Sequence, residues 1–455
     1  MSDSPKKIDR RQFIAGSTAA IAAAGALGAP YVFSADAGKP AILGGTPVRT
    51  EPFPSWPVID KTDERLLLDS FHSRKWCRLG AEWVDEFEKK FAGLMGVPAA
   101  VATNSGTCAL NTALNVLEIG PGDEVITTPY TFVATAQVIF QLGALSVFAD
   151  IDPETHMIDP ARVEEKINPR TRAILPVHIG GGASDMDRLL EIGARHNIPV
   201  LEDACQAWMG EWRGRKLGSL GALGCFSFQA SKNLNSGEGG AVIGNDTALM
   251  DMVASYTNNG RPAGTQTSTL SGYPNPGSNH RMTEFQGAIL NGQLRRLEEQ
   301  TERRNTNGRY LDSLLDQIPG IAAARSYKGQ TRHAYHLYMM NYDSAEFSGL
   351  SKWKFCNALE KEGIQTISTG YAMPALNQQD FIEHKLRSRH YEFVYGQARL
   401  DKWREENKCP NNDKLCGETG LWLFQAVLLG TKKDMENIAE AVEKIRRASA
   451  QIAKA

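Results

Sequence analysis

Residues 225–244 read Cys-Phe-Ser-Phe-Gln-Ala-Ser-Lys-Asn-Leu-Asn-Ser-Gly-Glu-Gly-Gly-Ala-Val-Ile-Gly, and this stretch decides the fold and the chemistry of the chain. A predicted apolar strand, Cys225–Phe228, is followed by Lys232, a glycine-rich turn and a second predicted strand, Ala241–Gly244. A lysine just beyond a buried strand reaches into a cleft, and the glycines let the backbone pass closely around a bulky group. Such a lysine, once partly desolvated, is an amine nucleophile towards aldehydes. The alternative is a solvated surface charge, which is what most lysines are.

A carboxylate follows another predicted strand, in Ile198-Pro-Val-Leu-Glu-Asp-Ala-Cys-Gln206. Ligands of open parallel sheets lie outside the carboxyl ends of the strands, so Asp203 is a candidate site residue. A carboxylate there can keep a pyridinium nitrogen protonated, which is the partner that pyridoxal phosphate requires. The alternative for Asp203 is a helix N-cap.

Between these motifs and the N-terminal part of the chain, strands alternate with helices. The predicted strands are 99–102, 124–127, 145–149, 173–178 and 198–202, and the predicted helices are 108–117, 131–142 and 185–196. This alternation predicts an α/β fold with a mostly parallel sheet covered on both faces. A strand at 336–342 and helices at 352–362 and 434–448 predict a smaller C-terminal α/β domain.

A Gly/Ser/Thr turn, Thr103-Asn-Ser-Gly-Thr107, opens the helix predicted at 108–117. The free backbone N–H groups of such a turn can hold a phosphate. By itself the pattern is usually that of an ordinary helix cap.

The motifs Glu202–Gln206, Phe226–Asn233 and Gly237–Gly240 resemble, in order and spacing, those of the DegT/DnrJ/EryC1/StrS aminotransferases. These are pyridoxal-phosphate enzymes that aminate keto-sugars and cyclitols. The resemblance runs from about Ile42 to the C-terminal helix. It implies the type I aminotransferase fold, with a large cofactor domain at 38–304, a small domain at 305–455 and a homodimer.

The resemblance also implies roles for individual residues. Lys232 would hold pyridoxal 5'-phosphate and move the proton, and Asp203 would keep the ring nitrogen protonated. The other implied cofactor contacts are Gly106, Thr107 and Ser227 at the phosphate, Phe132 on the ring face, Gln206 near the ring oxygen, and Asn279 from the neighbouring subunit. Relatives that dehydrate sugars carry histidine at the lysine position, so Lys232 favours transamination.

Several features leave their interpretation open. His178, at a predicted strand end, either contacts the cofactor or is a hydrogen-bonded structural residue, and Tyr371 lies where family members shape the substrate pocket. The irregular stretch 258–277 predicts a functional or disordered loop. The seven cysteines are odd in number and show no Cys-x-x-Cys spacing, so we expect no metal site.

The expected reaction moves an amino group from glutamate or glutamine to a keto-sugar or keto-cyclitol. The segment Arg74–Gly80 and the closing Cys409-Pro-Asn-Asn-Asp resemble the branch that contains cyclitol aminotransferases and 3-amino-5-hydroxybenzoate synthase. The latter activity is therefore an alternative. A second alternative is an exported binding or regulatory protein that keeps the fold without turnover.

The N-terminus carries Lys6-Lys7-Ile-Asp-Arg10-Arg11, then a small apolar run and Ala35-Asp-Ala37. This order predicts a twin-arginine export signal at residues 1–37 and a periplasmic location. The alternative is a disordered basic leader on a cytoplasmic protein. The 455-residue chain has 22% charged residues and a net charge of −2, which gives no indication of nucleic acid or an anionic membrane as a partner. We also expect no stable membrane anchor, because no stretch of the body is apolar for long enough to span a bilayer.

Overall fold

The computed structural model describes residues 31–33, 38–365, 367–371 and 373–455. Residues 38–455 form one compact unit. The twin-arginine pair at Arg10 and Arg11 and the cleavage site at Ala35–Ala37 lie outside the described residues. Within the described part, no helix is long and apolar enough to cross a membrane.

The centre of this unit is a seven-stranded sheet. Its strands, with two short ones between them in sequence, are β1 (Ala99–Thr103), β2 (Glu124–Thr127), β3 (Leu145–Phe148), β4 (Thr171–Leu175), β5 (Leu201–Asp203), β6 (Glu211–Trp212), β7 (Arg215–Lys216), β8 (Leu223–Ser227) and β9 (Gly240–Gly244). The spatial order is β3-β2-β4-β5-β8-β9-β1, in which parallel bridges Ile174–Val200 and Val177–Asp203 join β4 to β5. Only β9 runs antiparallel to its neighbours. The prediction of a mostly parallel sheet is confirmed.

Helices cover both faces of this sheet. They are α2 (Trp83–Met95), α3 (Gly106–Val116), α4 (Ala134–Gln141), α5 (Pro160–Lys166), α6 (Met186–His196) and α7 (Thr247–Thr257), whereas the preceding helix, α1 (Lys61–His72), packs against the long helix Glu284–Leu315. Neighbouring residues of one strand serve opposite layers: Val125 packs with Leu110 of α3, whereas Ile126 packs into the layer that contains Phe91 of α2. Because both faces are covered, the strands are buried along nearly their whole length rather than at alternate residues.

The long helix α8 (Glu284–Leu315) leads from this sheet to the C-terminal part. There a second, antiparallel sheet has the order β10-β12-β14-β13. The remaining strands and helices are β10 (Ile321–Ala323), β11 (Gln330–Arg332), β12 (Leu337–Tyr342), α9 (Lys352–Lys361), β13 (Ile367–Ser368), α10 (Asp380–Leu386), α11 (Arg389–Tyr395), α12 (Gln397–Glu406), α13 (Pro410–Lys414), β14 (Gly420–Phe424), α14 (Lys432–Arg447) and α15 (Ser449–Lys454). A domain boundary at 304/305 stays a prediction.

Helices α10 to α12 were not predicted from the sequence, and they pack against the edge of the large sheet. Trp403 Nε1 donates to the Ser146 carbonyl oxygen at 2.7 Å, and the Tyr391 hydroxyl donates to the Ala144 carbonyl oxygen at 2.6 Å. Arg399 makes a bidentate ion pair with the buried Glu124, with N–O distances of 2.6 and 2.8 Å. With these contacts the three helices cover the edge of the sheet that β3 forms.

Candidate active site

A cavity of about 590 Å³ opens where β1, β5 and β8 end. Seven of the eight predicted site residues line it: Gly106, Thr107, Phe132, Asp203, Gln206, Ser227 and Lys232. They come from four separate segments of the chain, which the parallel strands bring to one edge of the sheet. This is the place where an open α/β sheet binds its ligand.

The Lys232 side chain is half-buried in this cavity, with Nζ 6.0 Å from the centre of the Trp208 ring. Burial lowers the pKa of Lys232, and the neighbouring Cys205 and Asp203 act in the opposite direction. Among the described residues, Nζ has no hydrogen-bond partner. A lysine with a lowered pKa and a free amine is suited to nucleophilic attack and to proton transfer.

The Asp203 carboxylate is buried and held at both oxygens. Oδ2 accepts a hydrogen bond of 2.8 Å from Thr135 Oγ1, and Oδ1 accepts one of 3.1 Å from the Cys205 N–H. Thr135 Oγ1 in turn lies 2.9 Å from Thr131 Oγ1. No helix follows Asp203 directly, so the helix N-cap interpretation is wrong for this residue.

The first turn of α3 forms one wall of the cavity. Its N-cap residue, Ser105, accepts from the Cys108 N–H at 3.1 Å, whereas the N–H groups of Gly106 and Thr107 have no acceptor within the helix. A Cβ added at Gly106 would lie 2.6 Å from the Ser227 Cβ, so only glycine permits this approach. The turn and Ser227 together form a cradle of donors suited to a phosphate.

Gln206 lines the cavity with its amide fixed on both sides. Its Oε1 accepts from the Gly180 N–H at 2.8 Å, and its Nε2 donates to the Tyr371 hydroxyl at 3.3 Å. Gly180 has a φ of 60°, which a residue with a side chain rarely adopts. Gly180 therefore helps to hold the Gln206 amide in place. A contact between Gln206 and a cofactor ring oxygen stays a prediction.

His336 is a cavity residue that the sequence analysis missed. Asn233 Nδ2 donates to the Ala334 carbonyl oxygen at 2.8 Å, so Asn233 Oδ1 is the acceptor 3.2 Å from His336 Nδ1. Burial lowers the pKa of His336 well below its ordinary value, and the positive charges of Lys232 and Arg304 lower it further. The imidazole is thus neutral, with its proton on Nδ1 and the lone pair of Nε2 available to a ligand. A single histidine before the apolar strand 337–342 was the available sequence signal.

Aromatic side chains form the opposite wall. Tyr371 and Trp422 meet edge to face with ring centres 4.8 Å apart, and Phe424 lies beside them. Phe132 is 60% exposed, so it is not a core residue. The helix predicted from Thr131 begins only at Ala134, which leaves Phe132 in the preceding turn and at the cavity.

Two further candidates lie elsewhere. His178 does not line the cavity: it is buried, its Nε2 lies 2.9 Å from Glu202 Oε2, and its Nδ1 accepts from the Ser184 N–H at 3.2 Å. The structural interpretation of His178 therefore holds. Asn279 is exposed and does not line the cavity of its own chain, and its predicted role in a partner subunit stays a prediction.

One cysteine, Cys205, lines the cavity. All seven cysteines are free. Over residues 38–455, apart from the undescribed positions 366 and 372, no cluster of three or more His, Cys, Asp or Glu side chains could hold a metal ion.

The chain is similar to known proteins, among them an aminotransferase. L-glutamine:2-deoxy-scyllo-inosose aminotransferase of Streptoalloteichus tenebrarius is 36% identical over 90% of this chain and 97% of its own. Spore coat polysaccharide biosynthesis protein SpsC of Bacillus subtilis is 39% identical over 68% of this chain and 80% of its own. The solved structure of 3-amino-5-hydroxybenzoic acid synthase superposes with a TM-score of 0.76 at 30% identity, covering 87% of this chain and 99% of the other.

The family profile extends over the whole of the large sheet and most of the site. It matches residues 57–397, which contain the lysine, the aspartate, the phosphate turn and Tyr371, whereas Trp422 and Phe424 of the aromatic wall lie beyond it. The expectation of an enzyme with the type I aminotransferase fold is confirmed, and a protein that merely keeps the fold is not supported. On the strength of this match and of the site it spans, the chain belongs to the DegT/DnrJ/EryC1/StrS aminotransferase family.

Proposed function

We propose that this protein is a pyridoxal-phosphate aminotransferase that moves an amino group from L-glutamine to the carbonyl of a keto-cyclitol or keto-sugar. The observation that carries the proposal is the convergence of Lys232, Asp203 and the Gly106–Ser227 cradle on one cavity. Each of these groups matches one part of the cofactor: an amine for the aldehyde, a carboxylate for the pyridinium, and a donor cradle for the phosphate.

The fit of the residues to this cofactor is tight at two places. The cradle exists only because position 106 lacks a Cβ. Asp203 is buried, with both oxygens held by donors, so its charge is kept in a fixed position. When bound, the cofactor supplies an aldehyde and an electron-withdrawing pyridinium ring.

The chain's own groups supply the rest of the chemistry. Lys232 Nζ removes and returns the proton at the reacting carbon, for which its lowered pKa suits it. Asp203 holds the positive charge on the ring nitrogen, and Thr135 keeps the carboxylate aligned. His336 Nε2 accepts a hydrogen bond from a substrate hydroxyl or amino group, because its Nδ1 proton is directed to Asn233. The aromatic wall excludes water and offers flat surfaces to the C–H faces of a ring.

The choice of donor and acceptor is supported by the relatives, whose names include L-glutamine and 2-deoxy-scyllo-inosose. The test is to incubate the holoenzyme with L-glutamine labelled with ¹⁵N at the α-amino group and with a panel of keto-cyclitols and keto-sugars. We expect ¹⁵N in one aminated ring, and none with Lys232→Ala. Failure of every acceptor to gain the label would contradict the proposed reaction.

A second candidate activity rests on the similarity to 3-amino-5-hydroxybenzoic acid synthase. The same holoenzyme would then form 3-amino-5-hydroxybenzoic acid. Appearance of a product with aromatic ultraviolet absorbance, with no ¹⁵N transfer to cyclitols or sugars, would favour this candidate.

We also propose a homodimer in which Asn279 of each chain serves the site of the other. This is supported by the exposure of Asn279 outside its own cavity. It is also supported by an exposed apolar surface on and after α1, formed by Leu67, Leu68, Phe71, Trp76 and Leu79. Such a surface is typical of a protein–protein contact.

For localisation we propose twin-arginine export, supported by Arg10-Arg11 and the Ala35-Asp-Ala37 sequence. Changing both arginines to lysine should retain the full-length protein in the cytoplasm. Mature protein that still carries residues 1–37 in native cells would contradict this.

A further inference from the structure

Lys352, the first residue of α9, is a buried lysine outside the cavity, with only 2% of its surface exposed. In the described part of the chain it has no carboxylate partner. Its Nζ is surrounded instead by backbone carbonyl oxygens: those of Thr369 at 2.9 Å, Cys416, Gly420 at 3.4 Å and Leu415 at 3.5 Å. Burying an amino group is costly unless its donors are satisfied, so these carbonyls define a specific site for it.

The carbonyls that Lys352 binds belong to two different segments. Thr369 follows β13 and precedes Tyr371 by two residues. Leu415 and Cys416 begin a π-helical turn, Leu415–Thr419, which ends where Gly420 starts β14. Turns of this kind are common near functional sites.

Both segments carry an aromatic residue of the cavity wall. Tyr371 comes from the first, and Trp422, two residues beyond Gly420, from the second. β13 and β14 pair through Ser368 and Trp422, and Lys352 lies at the point where the first segment leaves this pairing. The two segments pack closely at this point, because a Cβ added at Gly370 would lie only 3.3 Å from the Gly420 carbonyl oxygen.

We propose that Lys352 is a positioning residue for the acceptor site: by tying the Thr369 carbonyl to the Leu415–Gly420 turn, it fixes Tyr371 and Trp422 relative to each other. Lys352 contacts neither ring, so its effect passes through the backbone. The Tyr371 hydroxyl is also the partner of Gln206, and loss of the tie therefore loosens that contact as well.

The first test does not depend on turnover. Hydrogen–deuterium exchange of the holoenzyme should become faster in peptides covering 367–376 and 412–424 in Lys352→Met, and remain unchanged around Gly106 and Ser227. The control is Lys354→Met on the same helix, whose lysine is exposed and donates to the Ala453 carbonyl oxygen near the C-terminus. Equal exchange in the two variants would overturn the proposal.

The kinetic test rests on the proposed aminotransferase function. In Lys352→Met the KM for the acceptor should rise about tenfold, with kcat within roughly threefold and cofactor absorbance unchanged. In the Tyr371→Ala background, Lys352→Met should raise the acceptor KM little further, because both residues act through the same aromatic wall. An unchanged acceptor KM, or full additivity, would contradict the assignment. Absence of any amino transfer by the wild type would instead refute the proposed function and leave the exchange result to decide on Lys352.

If Lys352→Met fails to fold, Lys352→Gln provides a milder change that keeps two N–H donors. Faster exchange in the same two segments is expected, to a smaller extent. Exchange at the wild-type rate in Lys352→Gln would show that the link between Thr369 and the Leu415–Gly420 turn does not need the lysine. That result would overturn the proposal.

Discussion

Thr135 donates a hydrogen bond of 2.8 Å from its Oγ1 to Oδ2 of Asp203, and in this way helix α4 holds a carboxylate that belongs to strand β5. The second oxygen is held by the Cys205 N–H, so the carboxylate has little freedom to turn. A fixed, buried negative charge is what a pyridinium partner requires, because no reorganisation is then needed during the reaction.

Asp203→Asn should lower kcat by about a hundredfold or more while cofactor binding survives. The amide has nearly the same shape but cannot stabilise a positive charge. Thr135→Val should cost about tenfold in kcat through loss of alignment, and Thr135→Ser, which keeps the hydroxyl, should restore most of it. Steady-state kinetics and cofactor absorbance measure both effects. Activity of Asp203→Asn within a few-fold of wild type would mean that the carboxylate has no role in the chemistry.

Gly106→Ala should weaken cofactor binding at least about tenfold, because the new methyl group would lie 2.6 Å from the Ser227 Cβ and force the phosphate cradle open. Gly93→Ala is the matched control, since nothing lies within 4 Å of a Cβ there and the residue is helical. Titration of the apoprotein with pyridoxal phosphate gives the affinities. Equal affinities for the two variants would place the phosphate elsewhere.

The shared-site dimer is tested by complementation between two single variants. Mixing Lys232→Ala and Asn279→Ala chains in equal amounts makes about half of the dimers mixed, and each of these has one intact site. Activity should then rise to roughly a quarter of wild type, above any residual activity of Asn279→Ala measured alone. If each site were built from one chain only, the mixture would give the average of its parents.

The fold should lose stability in mild acid because neutral histidines are buried in it. Burial lowers the pKa of His156 to about 4, although its hydrogen bond to Asn341 opposes this. Between this pKa and the ordinary value near 6.5, the unfolded chain binds more protons than the folded one, so the free energy of unfolding falls as the pH falls. His156 has a φ of 63°, which asparagine adopts more readily than most residues, so His156→Asn is a suitable variant. It should reduce the loss of unfolding free energy between pH 7 and pH 5 by about 2 kcal/mol. Denaturant titrations at the two pH values measure it, and an unchanged difference would show that another group causes the acid sensitivity.

The sequence predicts those site residues that are marked by a pattern of residues next to them in the chain. Lys232, Asp203 and the Gly106 turn each lie at the end of a strand or within a few residues of it, and a parallel sheet brings such strand ends together. His336 is different, because its tautomer depends on Asn233, which lies 103 positions away in sequence. The Lys352 site likewise exists only once the two segments that carry Thr369 and Cys416 have paired.

The helices at 380–406 illustrate a second limit of the sequence. In α12 only Leu400 and Trp403 are buried, so the helix offers a weak periodic signal among many charged residues. Its place is decided by contacts with a distant strand, such as the hydrogen bond from Trp403 to Ser146. Tertiary contacts of this kind cannot be inferred from local pattern.

Lys232 is the amine that we expect to bind the cofactor aldehyde. Borohydride reduction of the purified holoenzyme, followed by peptide mass spectrometry, tests it directly. We expect a pyridoxyl mass on Lys232 alone, with loss of the visible absorbance band on reduction, and no such mass in a folded Lys232→Ala variant. A wild-type protein that stays colourless with added pyridoxal phosphate, or a pyridoxyl mass on a different lysine, would contradict it.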